Sequence, residues 1–342
     1  GLSTPSTDQF RCKNLIERAT GYGMQGALID GNNVLEVYNS IKNARDYCIK
    51  NRKPFLIECM TFRMRGHEEA SGVKYVPKEL FEKWAEKDPV DNYEKWLLKN
   101  KLLTKEHVEK IREEIKNYIE SELVLAYDAA PMKVDAAAEL SAVYAPKTHS
   151  HNITVHDNSH ANFSGFQGTE KKFIGAISDA LRQSLLMHSN LVLMGQDIAE
   201  YGGAFKVTRG MLEKFGEWRV IDTPISESAI VGAAIGAALM GLRPVAEMQF
   251  ADFVTCGYNQ IVNNLAKSHY RWGQHANVVV RMPTGAGVQA GPFHSQSTEA
   301  WFYHVPGLKI YYPSTPADAK GLLMRAIEEP NPVLFFEHKL LY

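Results

Sequence analysis

Several familiar chemistries are excluded by what this sequence has little of. Cysteine is scarce: Cys12, Cys48, Cys59 and Cys256 are scattered over 342 residues with no C-x-x-C pair. That disfavours a disulfide framework and a cysteine zinc site, and a reducing, cytoplasmic compartment fits best. Neither sign of charge is in excess, with 38 Lys and Arg against 39 Asp and Glu, so bulk charge recruits neither nucleic acid nor an anionic membrane. Long apolar runs are missing too. The longest, Ala229 to Leu242, stops after 14 residues at Arg243, short of the roughly 20 that span a bilayer, and no signal peptide is visible. Glycine motifs for nucleotides fail on context: GYGMQG opens no helix pattern, and Gly285 to Gly291 lacks the lysine of a phosphate loop. There is no initiator methionine, and the apolar strand pattern PVLFFEHKLLY runs straight into the terminus; both ends read as cut.

What is present is a globular composition, 45% hydrophobic and 23% charged, with length for about two domains. The first third reads as α/β. A short apolar strand lies in GYGMQGALIDGNN, a helix runs from Val34 to Asn51 with Val37, Ile41, Ala44, Tyr47 and Cys48 on one face, and PFLIECMTF (Pro54 to Phe62) is a buried-strand pattern. Strand, helix, strand implies a parallel crossover. After a polar loop, Thr104 is the N-cap of a helix carrying Val108, Ile111, Ile115, Ile119 and Leu123 at helical steps. Periodicity is lost from Ala129 to Gly168, which reads as a linker. The last third alternates strands (Leu191 to Gly195, Arg219 to Ile225, Pro244 to Phe250, Asn277 to Pro283) with helices (Glu170 to His188, Ala229 to Gly241, Phe253 to Gly273). The expectation is an α/β chain with two doubly wound parallel-sheet domains, the first incomplete: 1–128, linker 129–168, and 169–342. In such sheets functional residues gather past the carboxyl ends of the strands.

Three side chains stand out on that criterion. Glu227 sits where RVIDTPI turns into a helix rich in glycine and alanine. A first-turn glutamate with Ser226 as N-cap, favoured by the helix dipole, is the commoner explanation. A carboxylate aimed into a cleft is the sharper one. His294 lies in a loop of Gly, Ala, Pro and Ser after a strand, where histidine faces solvent or ligand more often than core. His67, in TFRMRGHEEAS, follows another strand; with Arg63 and Arg65 it suits an anionic ligand, the alternative being a solvated loop compensated by Glu68 and Glu69. The linker histidines His149, His151, His156 and His160 are irregularly spaced with no cysteine beside them, a flexible tract rather than a metal site. Gly232, Ala233, Gly236 and Ala237 form a small-residue face that needs only close helix packing and would equally suit a subunit interface.

At these residues the sequence resembles the thiamine-diphosphate-dependent decarboxylating component of 2-oxo acid dehydrogenase complexes, in the form that fuses alpha and beta subunits in one chain. Residues 1 to about 125 are similar to the second half of an alpha subunit through GLSTPS, GYGMQGALIDGNNV, PFLIECMTFRMRGH and KDPVDNY. Residues 169–342 are similar to the first part of a beta subunit, a transketolase-like pyrimidine-binding domain. The motifs there are GQDIAEYGGAFKVTRGM, VIDTPISESAIVGAAIGAA, EMQFADF, GPFHSQSTEAWFYHVPGLK and FFEHKLLY.

The resemblance implies roles. Glu227 would hydrogen-bond the aminopyrimidine ring of the cofactor, where proton sharing with a buried carboxylate turns the exocyclic nitrogen into the base that activates the thiazolium. Ile225 and Gln249 would line the pyrimidine pocket, Phe253 would stack on the ring, and Leu2 would prop the cofactor in its bent form. His294 would orient substrate and manage protons, and His67 would lie near the diphosphate and the entering lipoyl group. The magnesium and diphosphate ligands of an alpha subunit would precede Gly1, which leaves this piece alone without metal ligands and inactive. Animal relatives carry a regulatory serine directly after the alpha-like histidine; Glu68 stands there, which excludes phosphorylation at that position. The implied activity is oxidative decarboxylation of a 2-oxo acid with acyl transfer to the lipoyl domain of a dihydrolipoyl acyltransferase, in a homodimer of the fused chain or an alpha2beta2-like assembly. HSQSTEAWF and FFEHK favour a branched-chain substrate over pyruvate. A non-catalytic scaffold docking the acyltransferase core is the alternative from another class.

Overall fold

A computed structural model describes residues 4–68, 70, 72–146 and 169–342. They form two compact units, Gly1–Met132 and Lys133–Tyr342. In the first, β1 (Gln25–Asp30) and β2 (Phe55–Met60) pair in parallel, Gln25 opposite Phe55 and Asp30 opposite Met60. The crossover is α1 (Val34–Asn51). Asn33 caps it by accepting from the Glu36 backbone N–H, and Arg52 ends it in a left-handed conformation at φ 52°. The GYGMQG glycines lead into β1 rather than open a helix, so they make no dinucleotide site. Three helices follow: α2 (Lys78–Ala85), α3 (Pro89–Lys99) and α4 (Lys105–Asp128). The Thr104 side chain accepts from His107 N–H at the start of α4, but α4 buries none of its residues, and Ile111, Ile115, Ile119 and Leu123 are exposed.

The second unit starts earlier than the loss of periodicity suggests. Residues 133–146, read above as linker, carry α5 (Ala136–Ala142) and fold with this unit. Ala145 is buried, its N–H and C=O both held by the Asn331 side chain at 2.7 and 3.1 Å. The linker histidines from 149 onward lie outside the described residues.

The core is a six-stranded parallel sheet. In chain order its elements are α6 (Phe173–Met187), β3 (Leu191–Gly195), β4 (Val220–Asp222), α7 (Glu227–Leu239), β5 (Arg243–Glu247), β6 (Val279–Thr284), β7 (Lys309–Tyr311), α8 (Pro316–Glu328) and β8 (Val333–His338). Spatially the order is β4-β3-β5-β6-β8-β7. Strand side chains alternate between two apolar cores. Val192, Met194, Ala246, Val280, Met282, Leu334 and Phe336 face α7 and the segment after it. Leu191, Leu193, Val245, Val279, Val333 and Phe335 face α6 and α8. Burial on both faces explains why these strands read as continuous apolar runs.

Two segments depart from the sequence reading. Only Val220–Asp222 of RVIDTPI is strand, since Pro224 has no N–H to extend an edge ladder. The helix expected from Phe253 to Gly273 is broken into a 3-10 turn (Ala251–Phe253), an α segment (Val254–Asn259), a π segment (Gln260–Leu265) and a last turn (Ser268–Trp272). The Ala266 carbonyl then lies against Gly307, at φ 94°, where a Cβ has no room.

Candidate active site

The chain leaves β3 toward β4 on one side and leaves β5 toward β6 on the other, so a crevice opens at the carboxyl ends of β3 and β5. The polar residues that follow those strands meet in it. Gln196 and Asp197 come after β3, Gln249 and Phe250 after β5, and Glu227 opens α7. Gln196 Nε2 donates to Glu227 Oε1 at 3.1 Å, and Gln249 Nε2 donates to Asp197 Oδ2 at 2.9 Å. Asp197 is held at φ 56°, uncommon for a residue with a Cβ. Ser226 occupies the N-cap position of α7, yet its side chain caps nothing. Glu227 is thus oriented by Gln196, not by a capping interaction. Its second oxygen has no hydrogen-bond partner among the described residues. The expected burial of Glu227 is not met within this unit, where it is half-buried.

Beyond the carboxyl ends of β5 and β6 stands an aromatic cluster. His294, in a 3-10 turn (Pro292–His294) of the loop after β6, meets Phe250 at 4.8 Å and Phe253 at 5.4 Å between ring centroids, both edge-on. Its Nδ1 is buried without a hydrogen-bond partner. Ile225, expected to line a pocket, is 85% exposed at the mouth of α7. An open apolar side chain and a carboxylate with one anchored and one open oxygen offer an apolar contact and a hydrogen-bond acceptor at this edge of the sheet.

Glu227, Ile225, Gln249, Phe253 and His294 are therefore gathered at one end of one sheet. His67 lies in the first unit, exposed beyond β2, with Arg63 Nη1 3.5 Å from its Nδ1. Leu2 lies outside the described residues. Sequence reasoning missed Gln196, Asp197 and Phe250. Their signal was available, since each falls within three residues of the carboxyl end of a buried parallel strand.

Residues 170–342 match the family described as Transketolase, pyrimidine binding domain, and residues 1–135 match the Dehydrogenase E1 component family. The 2-oxoisovalerate dehydrogenase subunit beta of Bacillus subtilis is 51% identical over 50% of this chain and 53% of its own. A pyruvate dehydrogenase E1 component subunit beta of Rhizobium meliloti is 45% identical over 49% of this chain and 37% of its own. The mitochondrial 2-oxoisovalerate dehydrogenase subunit beta 2 of Arabidopsis thaliana is 46% identical over 51% and 49%. The chain spans about half the length of the first of these relatives, or less. With half of its length matched, the chain belongs to the transketolase-type pyrimidine-binding domain family, preceded in the same polypeptide by a dehydrogenase E1 component segment.

Proposed function

We propose that this chain serves thiamine-diphosphate-dependent oxidative decarboxylation of a branched-chain 2-oxo acid, with reductive acylation of the lipoyl group of a dihydrolipoyl acyltransferase. The observation that carries the reading is the arrangement around Glu227: one oxygen fixed by Gln196, the other open, at the crevice that also holds Gln249, Phe253 and His294. The matched families support it. When bound, thiamine diphosphate supplies a thiazolium carbon that adds to the 2-oxo carbonyl and accepts the electron pair released with carbon dioxide. This chain's residues act around that chemistry. Glu227 shares a proton with the pyrimidine ring at its open oxygen, and Gln196 keeps that oxygen aimed. Ile225 and Phe253 present apolar surface to the ring, and Gln249, held by Asp197, closes the pocket wall. His294 moves a proton at the substrate. His67, with Arg63 and Arg65 in its loop, meets the diphosphate and the entering lipoyl group, and Leu2 supports the ring system. The acyl carbon is oxidised to the acid level as the lipoyl disulfide is reduced, so electrons balance. Magnesium belongs with the diphosphate, and a homodimer or alpha2beta2-like assembly completes each site.

The branched-chain substrate rests on the segments HSQSTEAWF and FFEHK; relatives named for 2-oxoisovalerate and for pyruvate lie at similar identity, 51% and 46% against 45%. In the full-length enzyme, Glu227→Gln lowers kcat by about 10²-fold or more while leaving the fold intact, the scale of losing a positioned proton partner. Unchanged turnover sinks the proton-sharing role. Steady-state comparison of 3-methyl-2-oxobutanoate with pyruvate tests the substrate, and a higher kcat/KM for pyruvate overturns that choice.

A further inference from the structure

Asp252 and Lys339 are buried, oppositely charged and unused by any role above. Asp252 lies in the turn after β5 and Lys339 directly after β8, at 4% and 5% exposure. Asp252 Oδ1 accepts both the Gln296 backbone N–H at 3.1 Å and the Gln296 side-chain amide at 2.9 Å. Its Oδ2 is buried with no hydrogen bond, and so is Lys339 Nζ. Gln296 is the fixed point of the loop that carries His294, because its carbonyl also accepts from Gly285 N–H at 3.0 Å and Thr284 Oγ1 at 3.1 Å. On the other side of that histidine, the Phe250 ring that meets it edge-on has Lys339 Nζ 5.3 Å from its centroid. Lys339 thus faces the Phe250 ring that backs His294, while Asp252, two residues beyond Phe250, holds the Gln296 anchor and leaves its other oxygen without a hydrogen bond.

We propose that Lys339 is a positioning residue for His294: its ammonium compensates the buried Asp252 carboxylate that anchors the loop at Gln296, and it faces the Phe250 ring that backs the imidazole. A buried carboxylate left without a compensating cation is destabilised where it stands and moves outward. That change weakens a charge-assisted acceptor and loosens the loop. The dependence is mutual. Burial pushes the Lys339 ammonium pKa down, and attraction to Asp252 pushes it back up.

The consequence for catalysis rests on the proposed part of His294, but the test reads the loop itself, so the two can fail separately. Amide hydrogen exchange on this chain is compared for Lys339→Met, Asp252→Asn and the double variant. Lys339→Met speeds exchange at Gln296 and Gly285 by about tenfold or more, with Leu193 in β3 unchanged. The double variant returns to within about threefold of the parent, because the carboxamide oxygen that Asp252→Asn introduces still accepts from Gln296 and no charge is left buried. Rates unchanged in Lys339→Met overturn the proposal. So does a double variant as fast as the single one, the result expected if Lys339 only fills space. If Lys339→Met fails to fold, a folded double variant supports the charge role and an unfolded one refutes it.

Discussion

Arg281 on β6 lies between Glu247 on β5 and Glu337 on β8, at 1%, 6% and 0% exposure. It donates from Nε to Glu337 Oε1 at 2.8 Å, from Nη2 to Glu337 Oε2 and from Nη1 to Glu247 Oε2. Arg281→Met removes three charge-assisted hydrogen bonds, each worth about 1.5–3 kcal/mol, and leaves two carboxylates in the core. Two things offset part of that loss: the Tyr342 hydroxyl still donates to Glu337, and Glu247 can take up a proton. The net destabilisation is then about 3–5 kcal/mol, as for other broken buried pairs. At about 2–4 °C per kcal/mol for a unit of this size, the midpoint of thermal unfolding falls by roughly 6–20 °C. Acidity gives the prediction a sign. Burial pushes the Glu247 carboxyl above its usual range, Arg281 pulls it back, and Glu337 pushes it up again. An acid with a raised folded-state pKa contributes stability that is present below its unfolded pKa and fades as pH climbs through the folded value. Without Arg281 the downward pull is gone, so the loss measured near pH 8 exceeds that near pH 5. Circular dichroism melts at both pH values test this. A midpoint within about 2 °C of the parent at the higher pH, or equal losses at both, refutes the reasoning.

Two further predictions concern packing. Asn331→Ala strips both backbone partners from Ala145 and removes the hydrogen bond that Asn331 Nδ2 donates to Glu329 Oε1 at 2.8 Å, so exchange over residues 136–146 accelerates by the equivalent of about 1–3 kcal/mol. Unchanged protection there would mean that α5 is held by other contacts. Gly307→Ala forces a methyl onto the Ala266 carbonyl at φ 94° and costs on the order of 1–3 kcal/mol or more. Gly175→Ala, inside α6 with nothing near its added methyl, gains about 0.5–1 kcal/mol. Urea denaturation that ranks the two variants in the opposite order contradicts this account.

Much of the fold was legible because local pattern and tertiary structure agree. Val34 to Asn51 and Leu191 to Gly195 have the same bounds in sequence reading and structure, since helical spacing in one and an apolar run in the other match their packing. Disagreements arise where long-range contacts override the pattern. The stretch Val254 to Trp272 is apolar at helical spacing, yet it shifts to a π segment, and its Ala266 carbonyl meets Gly307, 41 residues on in the chain. Residues 133–146 have no periodicity long enough to signal order, and partners far along the chain tie them to the rest of the second unit: Asn331 to Ala145, Leu308 to Tyr144 and Tyr270 to Glu139.

The site divides in the same way. Glu227 and His294 could be picked out because each sits beyond a strand end, whereas Gln249 and Phe253 were named only through the family resemblance; the sheet order then brings all four to one edge of the sheet. How they are held could not be read, because each support comes from a different strand end than the group it holds. Gln196, after β3, aims Glu227; Asp197, from the same turn, aims Gln249; Asp252, after β5, fixes the loop of His294. Such pairs are separated in sequence by 31, 52 and 44 residues, with no periodicity to link them. A parallel sheet makes this unavoidable. Every strand points the same way, so neighbours at the carboxyl edge are always a full crossover apart in the chain. The candidate groups of such a site are legible one by one from their place after a strand, whereas which of them orients which becomes visible only once the strand order is known.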